Sequence, residues 1–462
     1  MKIIIVGAGT VGFQIARQLI IEGKNVILIE KNEDKARFAS NNLDCMVIND
    51  MGNNIDILKQ AGIKDAQFFI SVTDSDEINM ITCGIARSEF NVPHNIARVR
   101  NIDFFSERIL FNPFLGIDYI VNPEIEAAKT IIKNLEYGAV SDIYFFEQPE
   151  IQMRSFNIEQ NSLFENKSVS QIAKELHTEF LITGIMRDEE FIIPSGKNVF
   201  HTGDTVYIIA REKDLDHIFM RIGKYKTNIK KVVLIGAGNT GKYLTAYLVQ
   251  ENSTLKKLHL PISKKRRVKV IDKDPKICME ISEKYHGAIV INADIADESI
   301  YDEENLADND LMITTTDNQE LNIISAVYAK KRGVKKTIAL INNNNYMNIS
   351  KEIGIDSIVN PKNAIVNPIL KYIRKGNIKS VHSISDGLVE LMEISVNNSK
   401  EVINKKIKEI KMPSHSLIIS IIRGENYIIP YGDLQIKSKD IVILICIKEA
   451  VKKIEKMFTD RP

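Results

Sequence analysis

Two stretches of this sequence carry the residue types needed to hold a phosphorylated nucleotide. Gly7-Ala8-Gly9-Thr10-Val11-Gly12 follows the short strand-like run Lys2-Ile-Ile-Ile-Val6, apolar after its lysine, and Gly236-Ala237-Gly238-Asn239-Thr240-Gly241 follows Lys231-Val-Val-Leu-Ile235, of the same kind. In each, the first glycine suits a tight turn, the second lets backbone approach a pyrophosphate, and the third lets a helix pack on the strand. The helix that begins there turns unpaired N–H groups toward the phosphates. Gly7, Gly9, Thr10, Val11 and Gly12 therefore form one candidate cradle, and Gly236, Gly238 and Gly241 a second. An acid closes the strand that follows each motif: Glu30 after 25–29 and Asp272 after 267–271. A carboxylate at that place can accept both ribose hydroxyls of an adenosine and would repel a 2′-phosphate. NAD, NADH or ATP/ADP fit this pattern better than NADP.

Ligands of open α/β sheets bind beyond the carboxyl ends of the strands, so polar residues ending later strands join the candidate sites. In the first copy these are Asn49, Asp50, Thr73, Asp74, Arg98 and Arg100; in the second they include Asp294 and Thr316. Asp50, with Asn49 beside it, could accept from an adenine amino group, and Thr73 and Asp74 would lie beside ribose and phosphates. The alternative for these side chains is helix capping, which Asp and Thr also favour. Arg98 and Arg100 are two apart in an expected strand and so share a face. They could count phosphates through bidentate hydrogen bonds, or be tied up by Glu30, Asp50 or Asp74. Leu340 and Asn342 occupy the matching places in the second copy, so the two pockets should differ in ligand or affinity.

Behind these residues lies a repeat of the whole chain. Short β-branched runs alternate with amphipathic helical segments in 1–138 and again in 225–378, the signature of a doubly wound parallel sheet. After each comes a block of closely spaced strands, 139–224 and 379–462, in which Phe180 to Pro194 and Ser416 to Pro430 read as hairpins. The expected fold class is α/β: two Rossmann-like domains, each followed by a small α+β lobe. Residues 224–231 read as the linker between the two halves. A basic insertion at 254–267 precedes the second strand of the second copy and reads as a solvated loop.

Composition narrows the function. The 462 residues carry 26% charged side chains but a formal net charge of only +1, which offers no global field for nucleic acid. Cys45, Cys83, Cys278 and Cys446 are scattered, with no metal-ligand or CxxC spacing. No apolar run reaches the ~18 residues of a membrane span. An NAD-dependent oxidoreductase, the main alternative to a binding protein, would need a proton donor or acceptor beside the nicotinamide. No histidine or Tyr-x-x-x-Lys pair stands at a strand end of the first copy. A transcription regulator would need a recognition helix, and none is evident.

The order of motifs 5–12, 73–79, 97–101 and 122–124, then Ile192-Ile193-Pro194 with Gly203-Asp204, resembles the KTN/RCK family of cytosolic regulatory subunits of potassium channels and transporters. The second half repeats the pattern at 339–342, Asn360-Pro361 and 374–376. The resemblance spans essentially the whole chain. It implies a peripheral protein on the inner face of the cell membrane, docked on an integral potassium-translocating subunit of the TrkH/TrkG type. It further implies regulation by NAD(H) or ATP/ADP, and a homo-oligomer, a tetrameric ring.

Overall fold

The computed structural model describes residues 1–101, 115–136, 143–146, 150–188, 190–223, 229–250, 266–373, 378–384 and 389–459. Most of the expected linker, the basic insertion up to residue 265, and the 374–376 motif lie outside the described residues.

In the first half, Lys2–Val6 (β1), Asn25–Ile29 (β2), Met46–Ile48 (β3), Ala66–Ser71 (β4), His94–Arg98 (β5) and Tyr119–Val121 (β6) pair in parallel, in the order β3-β2-β1-β4-β5-β6. Ile3, Ile4 and Ile5 are fully buried although successive side chains face opposite sides of the sheet. That pattern requires helices on both faces, which is why the strands read as continuous apolar runs rather than alternating ones. The chain leaves β1 in one direction along the sheet and returns to its other side at β4. The carboxyl ends of β1 and β4 thus flank a topological switch point.

Ile143–Phe145 (β7), Ile151–Asn157 (β8), Leu181–Arg187 (β9), Glu190–Ile192 (β10) and Thr205–Arg211 (β11) form an antiparallel sheet ordered β10-β9-β11-β8-β7. The helices Val169–Leu176 and Glu212–Arg221 follow within the same lobe. The second half repeats both designs. Lys231–Ile235 (β12), Arg267–Asp272 (β13), Ala288–Asn292 (β14), Leu311–Thr314 (β15), Lys336–Leu340 (β16) and Ser357–Val359 (β17) make a parallel sheet ordered β14-β13-β12-β15-β16-β17. Ile378–Ile384 (β18), Val389–Ser395 (β19), Ser416–Arg423 (β20), Asn426–Ile428 (β21) and Ile441–Ile447 (β22) make an antiparallel one. Both expected hairpins are present, as β9–β10 and β20–β21.

These four segments group by kind. One compact unit gathers 24–139 and 227–369 with the first twenty residues; the other gathers 140–226 and 370–462 with residues 21–23. Within the first unit, the helix Pro123–Glu136 presents Ala127, Ala128, Ile131, Ile132 and Leu135 to Val232, Leu244, Tyr247 and Leu248 of the second Rossmann domain, in a single core. At the end of this helix Glu136 accepts hydrogen bonds from Tyr247 Oη at 2.7 Å and Arg266 at 2.8 Å. The matching segment of the second copy is split into Pro361–Ala364 and Val366–Ile373. Pro368 explains the break: it has no N–H for the carbonyl four residues earlier, and its ring crowds that turn.

In the other unit the inner faces of the two antiparallel sheets share a core that includes Ile151, Met153, Tyr207 and Ile209 from one lobe and Leu391, Ile419, Tyr427 and Ile443 from the other. Each lobe also holds a buried acid clamped by an arginine. Asp204, 2% exposed, receives Arg187 Nε and Nη2 at 2.7 Å each and the His201 N–H at 2.8 Å. Asp440 receives Arg423 at 2.8 Å twice and the Lys437 N–H. Burial would raise the Asp204 pKa, but the Arg187 and His201 hydrogen bonds outweigh it, and the carboxyl is held below its usual range. A depressed folded-state pKa gives stability above the unfolded value, near 4, and loses it as pH falls through the folded value. Asp204→Asn is therefore expected to cost about 2 kcal/mol at pH 7 and to flatten the loss of thermal stability below about pH 4. Melting curves over a pH series check both.

Candidate functional site

The two glycine motifs occupy the same strand-to-helix corner of their sheets, and their glycines have separate tasks. Gly7 adopts φ +100°, and a Cβ there would sit 3.2 Å from the Val72 and Thr73 backbone; Gly236 adopts φ +91° against Thr315 and Thr316. A Cβ on Gly12 would lie 1.8 Å from the Gly7 carbonyl oxygen, and one on Gly241 2.1 Å from that of Gly236. By contrast, a Cβ on Gly9 or Gly238 would meet no atom within 4 Å. The outer glycines are held by protein, whereas the middle one borders open space at the mouth of the helix. Thr10, exposed, opens the helix Thr10–Ile21, and the Val11 side chain turns into the core.

Glu30 and Asp272 brace these loops. Glu30 Oε2 accepts from the Ala8 N–H at 2.6 Å and Oε1 from Asn32 N–H at 2.9 Å. Asp272 does the same for Ala237 at 2.6 Å and Asp274 at 2.9 Å. Each carboxylate has acceptor capacity beyond these bonds, so bracing the loop and accepting ribose hydroxyls are compatible. Asn49 bonds the Glu30 carbonyl at 2.8 Å, and Asn292 bonds that of Asp272 at 3.0 Å. This match shows a difference of register in the acids that follow. Asp50 stands one residue after its asparagine, accepting from Met51 N–H, whereas Asp294 stands two after, accepting from Ala296 N–H. Both are exposed.

Thr73 and Thr316 are organised by residues that the sequence reading assigned no role. Asn79, fully buried on the helix Asp76–Phe90, accepts from the Thr73 N–H and hydroxyl and donates to the Thr73 and Arg98 carbonyls. Asn322, on the helix Gln319–Arg332, makes the same four bonds to Thr316 and Leu340. The equal Thr-to-Asn spacing in both copies was the available signal. These asparagines tie the ends of adjacent strands to one helix in both domains.

The arginines depart from expectation. Strand β5 ends at Arg98, so Arg100 lies beyond it and no shared strand face aligns the two. Their guanidinium groups meet the Thr73–Asp74 turn instead. Arg98 reaches the Thr73 carbonyl and the Asp74 carboxylate at 3.2 Å each, and Arg100 reaches the Asp74 carbonyl at 2.5 Å. Of the three acids considered as partners, the structure selects Asp74 for Arg98. Partial burial would raise the Asp74 pKa; the hydrogen bond and charge of Arg98 overcome this and hold it low. Asp76 secures the turn after β5 by accepting from Arg100 N–H and Asn101 N–H at 2.9 and 2.8 Å. Gln319 does the same for Asn342 and Asn343 in the second copy, without a charge.

The structure therefore brings Gly7, Gly9, Thr10, Gly12, Thr73, Asp74, Arg98 and Arg100 around the carboxyl ends of β1, β4 and β5, with Glu30, Asn49 and Asp50 on the β2–β3 side. Gly236, Gly238, Gly241, Asp272, Asp294 and Thr316 are arranged likewise around β12, β13, β14 and β15. A loop that leaves the middle glycine open, N–H groups at a helix mouth and an acid on the next strand suit an adenine nucleotide or dinucleotide.

Comparison with known proteins gives this arrangement a family. The TrkA-N domain matches residues 3–123 and again 232–361, and the TrkA-C domain matches 153–223 and 391–459. The chain belongs to the TrkA-N/TrkA-C family. Its relatives include the Trk system potassium uptake protein TrkA of Halomonas elongata, 28% identical over 99% of this chain and 98% of that protein. TrkA homolog 2 of Methanosarcina mazei is 29% identical over 99% of this chain and all of its own length. Among solved structures, the GsuK channel bound to NAD superposes with a TM-score of 0.56 at 15% identity, covering all of this chain and 79% of that one. The GsuK RCK domain superposes equally well, with 95% of its chain covered. The resemblance to RCK proteins read from the sequence thus holds for the fold of this TrkA-family chain. No helix among the described residues is long and apolar enough to cross a membrane.

Proposed function

We propose that this chain is a cytosolic, nucleotide-sensing regulatory subunit of a potassium-uptake system, made of four lobes with boundaries near 138, 224 and 378. It performs no reaction of its own in this reading. Its membrane partner is an integral potassium-translocating subunit of the TrkH/TrkG type, and its lobes assemble into a homotetrameric ring at the inner face of the membrane. The observation that carries the reading is the doubled open glycine loop in a chain matched over 99% of its length by Trk system potassium uptake proteins.

The first pocket is the proposed sensor, with NAD(H) or ATP/ADP as ligand. The glycine loop would take the pyrophosphate and Glu30 the ribose; Asp50 and Asn49 would lie by the adenine. Thr73, Asp74, Arg98 and Arg100 would face the far phosphates or the second nucleoside. The second pocket keeps the loop, Asp272 and Thr316 but lacks both arginines, and is the weaker site. A nucleotide shifts the assembly only by binding one arrangement better than another. The helix Pro123–Glu136 offers a physical connection: it starts beside β6 at the first pocket and ends in the core of the second Rossmann domain. At 1.5 Å per residue it spans about 20 Å.

Calorimetric titration of NADH, ADP and ATP should give saturable binding that weakens at least ~10-fold in Glu30→Ala, which loses a charged acceptor. Potassium flux through vesicles containing the membrane subunit should then change with nucleotide in the wild type. Binding without any change in flux would refute the regulatory role, and no binding would refute the pocket.

A further inference from the structure

Two buried polar atoms of opposite character lack a hydrogen-bond partner at the far end of the first pocket. Arg98, 7% exposed, uses its Nη1 on Thr73 and Asp74, while its Nε–H is buried and unpartnered. Glu124, at the start of the helix Pro123–Glu136, has a buried Oε2 that is also unpartnered. The two groups belong to adjacent strand ends, since Arg98 pairs with Val121 in the β5–β6 ladder, three residues before Glu124. Burial pushes the Glu124 pKa up, against the opposing pull of its own amide and of Arg100 and Arg98. Buried donors and acceptors are nearly always satisfied, so an unfilled pair points to a partner from outside the chain.

The sign of the pair restricts that partner. A phosphate oxygen would suit Arg98 but be repelled by Glu124, and a bare cation would do the reverse. A neutral group with one acceptor and one donor side by side suits both: a primary carboxamide, whose C=O accepts from Arg98 Nε–H and whose NH2 donates to Glu124 Oε2. The pair also lies on the β4–β5–β6 half of the crest, opposite the half where Glu30, Asn49 and Asp50 would hold the adenosine. In a dinucleotide stretched across the switch point, that half receives the second nucleoside. Leu340 and Lys362 take these positions in the second copy, so both orphan atoms vanish together. We propose that Arg98 and Glu124 of the first pocket recognise the carboxamide of a nicotinamide ring, which makes this pocket selective for NAD(H) over nucleotides ending in phosphate or ribose.

The proposal rests on the nucleotide reading of the pocket, and the test separates the two. Affinities for NADH, ADP-ribose, NAD and nicotinic acid adenine dinucleotide are measured by calorimetry on the full chain, with circular dichroism to verify folding. The wild type should bind NADH about 10-fold or more tighter than ADP-ribose, the worth of a hydrogen bond to a charged group. It should also disfavour the nicotinic acid form, whose carboxylate faces Glu124. Glu124→Leu should abolish the preference for NADH while leaving ADP-ribose affinity within about twofold, because only the carboxamide contact is lost. Glu124→Gln, able to donate to a carboxylate, should restore binding of the nicotinic acid form. An unchanged NADH to ADP-ribose ratio in Glu124→Leu would overturn the proposal. Failure of the wild type to bind either NADH or ADP-ribose would overturn the pocket reading itself.

Discussion

Gly9→Asp is expected to reduce nucleotide affinity at the first pocket by about 100-fold or more while the protein remains folded. The two halves of this expectation come from the same observation. Gly9 has no left-handed backbone to protect, and a Cβ there meets no protein atom within 4 Å, so a side chain enters without strain. An aspartate beside the first turn of a helix is in fact electrostatically welcome in the empty protein. When a pyrophosphate approaches, the carboxylate occupies its space and repels its charge in a partly desolvated corner, a cost of about 3 kcal/mol or more. Gly238→Asp supplies the matching test of the second cradle, whose middle glycine is equally open. Calorimetry on the two single variants and the double variant assigns affinity to each pocket. Wild-type affinity in all three would show that neither loop holds the ligand.

Gly12→Ala should act in the opposite way, through the fold. Its methyl group would stand 1.8 Å from the Gly7 carbonyl oxygen. That carbonyl cannot retreat freely, because Gly7 is itself fixed at φ +100° close to Val72 and Thr73. Either the helix Thr10–Ile21 lifts from β1 or the loop distorts, and overpacking of this kind costs about 3 kcal/mol. Urea and thermal unfolding should both shift, and nucleotide binding should fall because the cradle moves. Gly241→Ala, with its contact at 2.1 Å from Gly236, should destabilise the second domain similarly. A Gly12→Ala protein with wild-type stability would mean that helix and strand are not closely packed there.

Much of this architecture was legible in the residues. Runs such as 3–6 and 232–235 are apolar throughout because both faces of the sheet are covered, and the glycines mark where each run turns into a helix. Asn79 and Asn322 were not legible as organisers: a polar residue inside a helical segment looks like one that faces water until the fold turns it inward. The fate of Arg98 and Arg100 was also hidden. Their spacing suggested one strand face, but Asp76 captures the backbone just past Arg98 and ends the strand there. Nor could the sequence say that lobes pair by kind, since the stripe of Ala127, Ile131 and Leu135 would suit many apolar partners.

The break at Pro368 has a consequence for how such a chain can change over time. Two identical halves could in principle trade duties, each serving as reader or as support. Here one half owns an unbroken rod reaching into its sibling, and the sibling's corresponding rod is interrupted at Ile365, ahead of a proline that cannot donate to the turn before it. If the first pocket is the sensor proposed above, a change there has an unbroken helix leading into the other domain, whereas a change at the second pocket meets a divided one. In the proposed reading the duplication therefore works in one direction, with the first copy as the reader and the second as the surface it pushes against.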